Sequence, residues 1–285
     1  MKRSGKIFLW IGVCLLAVTM NVRAQQPLNG QREETKVHQK IAAEYTIVAE
    51  DIWYGYHRVK FDFHGLTAWV VEPNVAPAKG KPWTWTMQWA EAFVDRTGVL
   101  DLLAEGWHHV TIEAYDGRAD DATLPVMEQF QKFLVKDLKF AKKAKLVGMS
   151  WGGFFSIRYA NAYPKKVARI YLDAPLLNFD GFGDGTAGSI GSWASNKPAD
   201  GSWSSDPRMP VNMAASIAKA RIPVLLLYGG KDEVVNPALN CERFIERFRK
   251  AGGNIKVERR AEFGHHPHGL DPDKTDEITA FFKKK

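Results

Sequence analysis

The chain has 285 residues, 45% of them apolar and 25% charged, a balance that excludes disorder as its main theme and supplies enough chain for a full buried core. Its formal charge of +7 shrinks once the first 24 residues are set aside, because they hold Lys2, Arg3, Lys6 and Arg23 and no acid, leaving 35 basic groups against 32 acidic ones. So small an excess argues against a nucleic-acid partner.

Residues 1–24 read as an export signal. "MKRSGK" is a positive leading region, "IFLWIGVCLLAVTM" an apolar run of 14 residues, and Val22-Arg23-Ala24 a roughly A-x-A-like cleavage site. The run is short for a membrane span of about 20 residues. The expectation is therefore a periplasmic or extracellular protein with no stable membrane insertion after cleavage. Cys14 lies inside the apolar run, so the exported chain keeps only Cys241 and has no intramolecular disulfide. Cys241 sits on an apparent helix with no His beside it, and reads as a buried structural thiol.

Residues 25–44 are polar and charged, as a short tether or first turn would be, and the main domain is placed at 45–285. "YHRVKFDFHGLTAWVVEP" alternates apolar and polar residues about His64-Gly65, which predicts an antiparallel hairpin. Strand-like and helical patterns then alternate. "KPWTWTMQW" is a strand, "AEAFVDRTGVLDLLAEG" a helix despite Gly98, "HHVTIEAYDG" a strand and "LPVMEQFQKFLVKDLKF" a helix. "AKLVGMS", "VARIYLDAP", "IPVLLLYGGKD" and "NIKVERR" are further strands, with "WGGFFSIRYANAYP", "PALNCERFIERFRKAGG" and "DKTDEITAFFKKK" as helices. Continuous apolar strands such as 224–228 suit a parallel sheet covered on both faces. The sum is an α/β domain with a mostly parallel sheet, entered through an antiparallel hairpin, with helices on both faces. One segment departs from the alternation. Residues 178–210 form a long insert rich in Gly, Ser and Asp and punctuated by Phe179, Phe182, Trp193 and Trp203.

Gly148-Met149-Ser150-Trp151-Gly152 has the form G-x-S-x-G between a predicted strand and a predicted helix, where a tight joint exposes a serine hydroxyl. A serine hydroxyl is a poor nucleophile and needs a base within reach and an acid to orient that base. Open α/β sheets gather such groups at the carboxyl ends of strands. Asp232 follows one strand, 82 residues after Ser150, and His265 follows the next, 33 residues later. Asp173 in "YLDAP" and Asp116 in "EAYDG" compete as the acid, and His266 and His268 compete with His265 as the base. Three histidines in five residues also raise the question of a metal. An H-H-x-H run points three imidazoles at one ion only through an unusual turn, so no metal is expected, and no cofactor. His108-His109, at a strand start, read as packed or solvated residues.

On "GMSWGG", "YGGKDEVV" and "GHHPH", in that order, the chain from about residue 45 resembles the α/β-hydrolase superfamily, and more narrowly its exported bacterial members with "PWxW", "DAP" and "GHHPHGL" segments. The resemblance implies Ser150 as nucleophile, His265 as base and Asp232 as its orienting acid. It also implies an oxyanion hole from the amide of Trp151 and an amide at Met87 or Gln88, where the sequence departs from the H-G-G-G pattern of lipases. It implies a serine hydrolase, here read as a carboxylic-ester hydrolase. Trp193, Trp203 and Phe179 of the insert are expected to meet the substrate, a small-molecule or oligosaccharide ester, since sugar faces stack on indoles. The alternatives are a serine peptidase of the same fold and a catalytically silent member used as a binding module.

Overall fold

The computed structural model describes residues 25–27, 35–183 and 187–284, so the expected export signal lies outside the described residues. Among the described residues ten strands share one sheet: β1 (Gln25–Pro27), β2 (Ile47–Trp53), β3 (Tyr56–Phe63), β4 (Leu66–Val71), β5 (Trp83–Thr86), β6 (His108–Ile112), β7 (Ala144–Met149), β8 (Val167–Asp173), β9 (Val224–Gly229) and β10 (Ile255–Arg260). Their spatial order is 1-2-3-4-6-5-7-8-9-10. Pairing is antiparallel from β1 to β4 and between β4 and β6, and parallel from β6 to β10.

The predicted hairpin is β3–β4, joined at His64-Gly65, both with positive φ as the primed turns of hairpins require. A second hairpin of the same kind, at Tyr54-Gly55, joins β2 to β3 and extends the antiparallel part beyond the single hairpin predicted. The polar segment 25–44 contributes β1, paired with β2, and helix α1 (Lys36–Ala42), which buries Val37 and Ile41 in the core.

Alternate strand residues part into two cores, the expected outcome of a period of two in a sheet covered on both sides. Leu146, Ile170, Val224 and Leu226 face one core with α1, α3 (Thr123–Lys136), α4 (Trp151–Ala162), the short α5 (Ala187–Ile190), α6 (Pro210–Lys219) and α7 (Cys241–Lys250). Val147, Tyr171, Leu225 and Leu227 face the other, with α2 (Val99–Ala104) and α8 (Asp276–Lys283). The helical period predicted across "AEAFVDRTGVLDLLAEG" survives only as α2 and one 3-10 turn at Val94–Arg96. Gly98, at φ +71°, separates the two, and a Cβ there would meet the Thr279 methyl at 2.9 Å.

Candidate active site

The site is assembled at the carboxyl ends of β5, β7, β8, β9 and β10. Ser150 follows β7 directly and stands before α4 at φ 48°, ψ −119°, a strained conformation costing about 1–3 kcal/mol that must be held by its surroundings. It is held from three directions. The Ser150 N–H donates to the Asp173 carbonyl at 3.0 Å, and the Ser150 carbonyl accepts from the amides of Leu176 and Gly153, each at 2.9 Å. The glycines of the motif are unequal. A Cβ on Gly148 would meet the Gly152 carbonyl oxygen at 2.8 Å and one on Gly153 would meet Pro175 at 2.3 Å, whereas at Gly152 the nearest atom is the Gln88 nitrogen at 3.5 Å, an ordinary contact. Close packing therefore demands glycine at 148 and 153, and tolerates a small side chain at 152.

The three residues read as nucleophile, base and acid come together. His265 Nε2 lies 3.1 Å from Ser150 Oγ, and His265 Nδ1 lies 2.8 Å from Asp232 Oδ2. Asp232 Oδ1 accepts from the amides of Val234 and Val235 at 2.9 and 2.8 Å, which fixes the carboxylate before it meets the imidazole. Asp232 and His265 are both buried. The loops that carry them touch backbone to backbone: a Cβ on Gly229 would lie 2.1 Å from the Gly264 carbonyl oxygen, and the Lys231 amide donates to Phe263 at 2.9 Å. This is why two glycines precede Lys231-Asp232. Asp116, by contrast, is fully exposed and pairs only loosely with Arg118.

Of the two amides proposed to complete an oxyanion hole, only one is available. The Met87 N–H donates to the Val147 carbonyl at 3.0 Å, as part of the sheet, so Met87 is spent. Gln88, one residue further, has left the sheet and its amide nitrogen borders Gly152. Opposite it, Trp151 occupies the first position of α4, where a backbone N–H has no partner within its own helix. The loop carrying Gln88 is tied down by Glu91, which accepts from Trp53 Nε1 at 2.8 Å and from the buried Arg58 guanidinium, itself gripped in fork geometry by Asp51 at 2.8 and 2.5 Å.

The model of the alpha/beta hydrolase fold family matches residues 89–188, a stretch that contains the Ser150 joint. The chain has the α/β-hydrolase fold. Solved structures agree: a putative dipeptidyl aminopeptidase IV from Bacteroides ovatus matches with a TM-score of 0.61 at 14% identity, over 80% of this chain and 35% of its own. The acylaminoacyl peptidase of Pyrococcus horikoshii matches with a TM-score of 0.57 at 10% identity, over 79% and 40%. An S-formylglutathione hydrolase from Agrobacterium tumefaciens gives a TM-score of 0.57 at 15% identity, over 83% of this chain and 95% of its own. The chain thus spans well under half the length of the two peptidases. No curated protein sequence matches it.

Within this fold the insert at 178–210 plays a different part from the one expected. Phe179, Trp193 and Trp203 are 4%, 3% and 5% exposed and pack on one another and on Phe154 of α4. They are the insert's own core and are not free to stack on a substrate. Trp193 also donates its indole N–H to the Arg118 carbonyl at 3.0 Å and lies between the guanidinium groups of Arg158 and Arg208. The Ser and Asp content serves turns. Asp180 accepts from Ser202 Oγ at 2.6 Å and from the amides of Trp203 and Ser204 at 2.9 and 2.7 Å; burial raises its pKa, but these bonds outweigh that and hold it low.

The aromatic surface open to a ligand lies elsewhere. A pocket of about 330 Å³ is lined by Trp69, Gln88, Trp89, Glu113 and Tyr115, with Trp89 43% exposed and its ring centroid 4.7 Å from that of Tyr115. Tyr115 in turn meets Trp151, next to the serine. Trp69 Nε1 and Gln88 Nε2 are buried and have no hydrogen-bond partner among the described residues. Trp89 was not singled out by sequence reasoning; its only signal is its place directly after the β5 segment.

His266 and His268 do not reach Ser150. His266 stacks on Phe93 with centroids 5.6 Å apart, and its pKa is lowered to about 4 by partial burial and then by His268 and His265. His268 Nδ1 lies 2.9 Å from Asp173 Oδ1, making a second, fully buried Asp–His pair. Asp173 also accepts from the Gly269 amide at 2.6 Å and from the Tyr171 hydroxyl. Burial pushes the Asp173 carboxyl up, but the bonds from His268, Tyr171 and Gly269 prevail and hold it below its usual range. Arg96 and Arg260 complete the clamp by donating to the carbonyls of His268 (2.9 Å), Gly269 (2.7 Å) and Pro267 (3.2 Å). The turn so held gathers the three imidazoles: one ring nitrogen from each of His265, His266 and His268 lies within 4.8 Å of the others. The expectation that the H-H-x-H run keeps its rings apart is corrected here. Cys241 is buried, and burial pushes its thiol well above the usual range, as a structural cysteine requires.

Proposed function

We propose that this protein is a serine hydrolase acting on carboxylic esters through an acyl-enzyme. The observation that carries the reading is the linear chain Ser150 Oγ, His265, Asp232, at 3.1 and 2.8 Å, on a serine held at positive φ. In the forward step Ser150 Oγ attacks the ester carbonyl carbon while His265 Nε2 takes the hydroxyl proton. Asp232 holds the imidazole with Nε2 facing the serine and stabilises the cation that forms. The negative charge on the carbonyl oxygen falls on the amides of Trp151 and Gln88. The imidazolium then returns its proton to the leaving alkoxide, and water repeats the sequence to release the acid.

The pocket beside Gln88 supports a polar, hydroxyl-bearing ester, such as an acyl group on a carbohydrate. It offers the exposed face of Trp89 for stacking and the Glu113 carboxylate as an acceptor. We place the enzyme outside the cytoplasm, on the strength of residues 1–24. The likeness to two peptidases keeps amide cleavage as the rival reading.

The test is twofold. A fluorophosphonate should label Ser150 alone, located by peptide mass, and Ser150→Ala should reduce p-nitrophenyl acetate hydrolysis to background. Labelling at another residue, or equal rates in both proteins, would refute the mechanism. Faster turnover of aminoacyl p-nitroanilides than of acetylated oligosaccharides would favour the peptidase.

A further inference from the structure

The three-histidine cluster is built in a way the hydrolytic reaction does not need. Only His265 meets the serine, yet the rings of His265, His266 and His268 stand nearly perpendicular to one another, at 76°, 81° and 88°, with centroids 4.8, 5.0 and 4.9 Å apart. Three imidazoles on one tetrahedral ion, with metal–nitrogen bonds of about 2.0–2.1 Å, place their ring centres about 5 Å apart. The ring centres are thus spaced as on a shared ion, while one nitrogen of each ring lies within 4.8 Å of the others, so the rings must reorient, and His265 must leave Ser150, to reach the roughly 3.4 Å of a tetrahedral set.

The surroundings match as well. Metal-bound histidines commonly donate their second ring N–H to a carboxylate, which sets the tautomer and raises the basicity of the free nitrogen. Two of the three do so here: His265 Nδ1 on Asp232 at 2.8 Å and His268 Nδ1 on Asp173 at 2.9 Å. Each is left with Nε2 to give. His266 is exposed, so an ion has a way in and one ligand free to adjust. The charges facing the cluster are two carboxylates, Asp232 and Asp173, and two guanidinium groups, Arg96 and Arg260, the latter turned onto backbone carbonyls. An all-imidazole set suits zinc, copper or nickel and not magnesium or calcium.

We propose that His265, His266 and His268 form a binding site for a zinc-class divalent ion, which, when occupied, switches the serine off. The switch follows from one lone pair. Nε2 of His265 cannot hold a metal and accept the proton of Ser150 at once, so the ion takes the base out of use without breaking a covalent bond. The binding site stands on the cluster geometry alone; the inhibition rests on the serine hydrolase reading above.

Equilibrium dialysis of the whole protein against zinc chloride should find one ion per chain, and cobalt(II) in its place should show the visible absorption of a four-coordinate centre. His266→Ala, at an exposed position where the fold is checked by circular dichroism, should weaken zinc binding at least tenfold. Asp232→Asn should weaken it about 10- to 100-fold through His265. Zinc should protect Ser150 from the fluorophosphonate, and a chelator should restore labelling. No stoichiometric zinc, or zinc bound equally well by His266→Ala, would overturn the site. Stoichiometric zinc with undiminished labelling would overturn the switch. Absence of labelling in zinc-free protein would count against the hydrolase reading instead, leaving the dialysis result to judge the site.

Discussion

Two Asp–His pairs stand side by side at the carboxyl edge of this sheet with nearly equal lengths, 2.8 Å for Asp232–His265 and 2.9 Å for Asp173–His268. They differ in what lies beyond the imidazole. His265 turns its second nitrogen to Ser150; His268 meets the edges of Phe93 and its neighbouring histidines, in a sealed place. The carboxylates differ too. Asp232 takes two amides of its own loop, while Asp173 takes the amide of Gly269 and the hydroxyl of Tyr171 and gives its backbone carbonyl to Ser150. In the proposed reaction the first pair moves a proton, and the second holds the turn that presents the first. Identical side-chain chemistry acquires different roles from the access each has to the serine.

Removing one acid at a time breaks the comparison most sharply. Asp232→Asn should lower kcat on p-nitrophenyl acetate by about 10⁴-fold while leaving the unfolding midpoint close to wild type, because the amides of Val234 and Val235 can still bond the asparagine oxygen. Asp173→Ala should do the reverse in emphasis. It strands the His268 ring, the Tyr171 hydroxyl and the Gly269 amide in a buried place, and urea unfolding should report a loss of about 3–5 kcal/mol.

Acid should act on two buried histidines of β6. His109 and His108, buried in β6, have pKa values lowered to about 3 and about 4, chiefly by burial. Both are neutral in the folded chain while the unfolded chain takes up protons near pH 6.5, so stability should fall as pH drops from about 6.5 toward 4. For His109 the loss is about 5 kcal/mol at most, complete only near pH 3. His109→Gln should flatten that slope in pH-dependent denaturation.

The smallest effect separates exposed from buried aromatics. Trp89→Ala, at the pocket, should raise KM for an acetylated oligosaccharide roughly threefold to tenfold with kcat little changed, as the loss of one stacking face predicts.

Much of this was legible in the residues themselves. G-x-S-x-G between an apolar run and a helix, then Asp and His after later runs, named the fold and the three side chains, because each feature is local: strand period, glycine at a tight joint, polar residue at a strand end. The oxyanion loop was legible only to within a residue. Met87 and Gln88 are neighbours in a chain, and it is the hydrogen bond to Val147 on the adjacent strand that spends one and leaves the other. The insert was misread for a related reason: a Trp in a Gly-rich stretch looks exposed until Phe154 on another element is known to cover it.

By itself the sequence determined the alternation of elements, the residue types of the site and their order, since these depend on neighbours along the chain. Which acid pairs with which histidine, which of two neighbouring amides is spent in the sheet, and that three imidazoles of one short run cluster were decided only by the tertiary structure. Each depends on distances between segments tens to more than a hundred residues apart, set by strand register and by the clamp of Asp173, Arg96 and Arg260 on the histidine turn. Ser150 shows both sources at once. Its glycines announce a tight joint, but the carbonyl of Asp173 and the amide of Leu176 hold that joint in the strained conformation that brings the hydroxyl to His265.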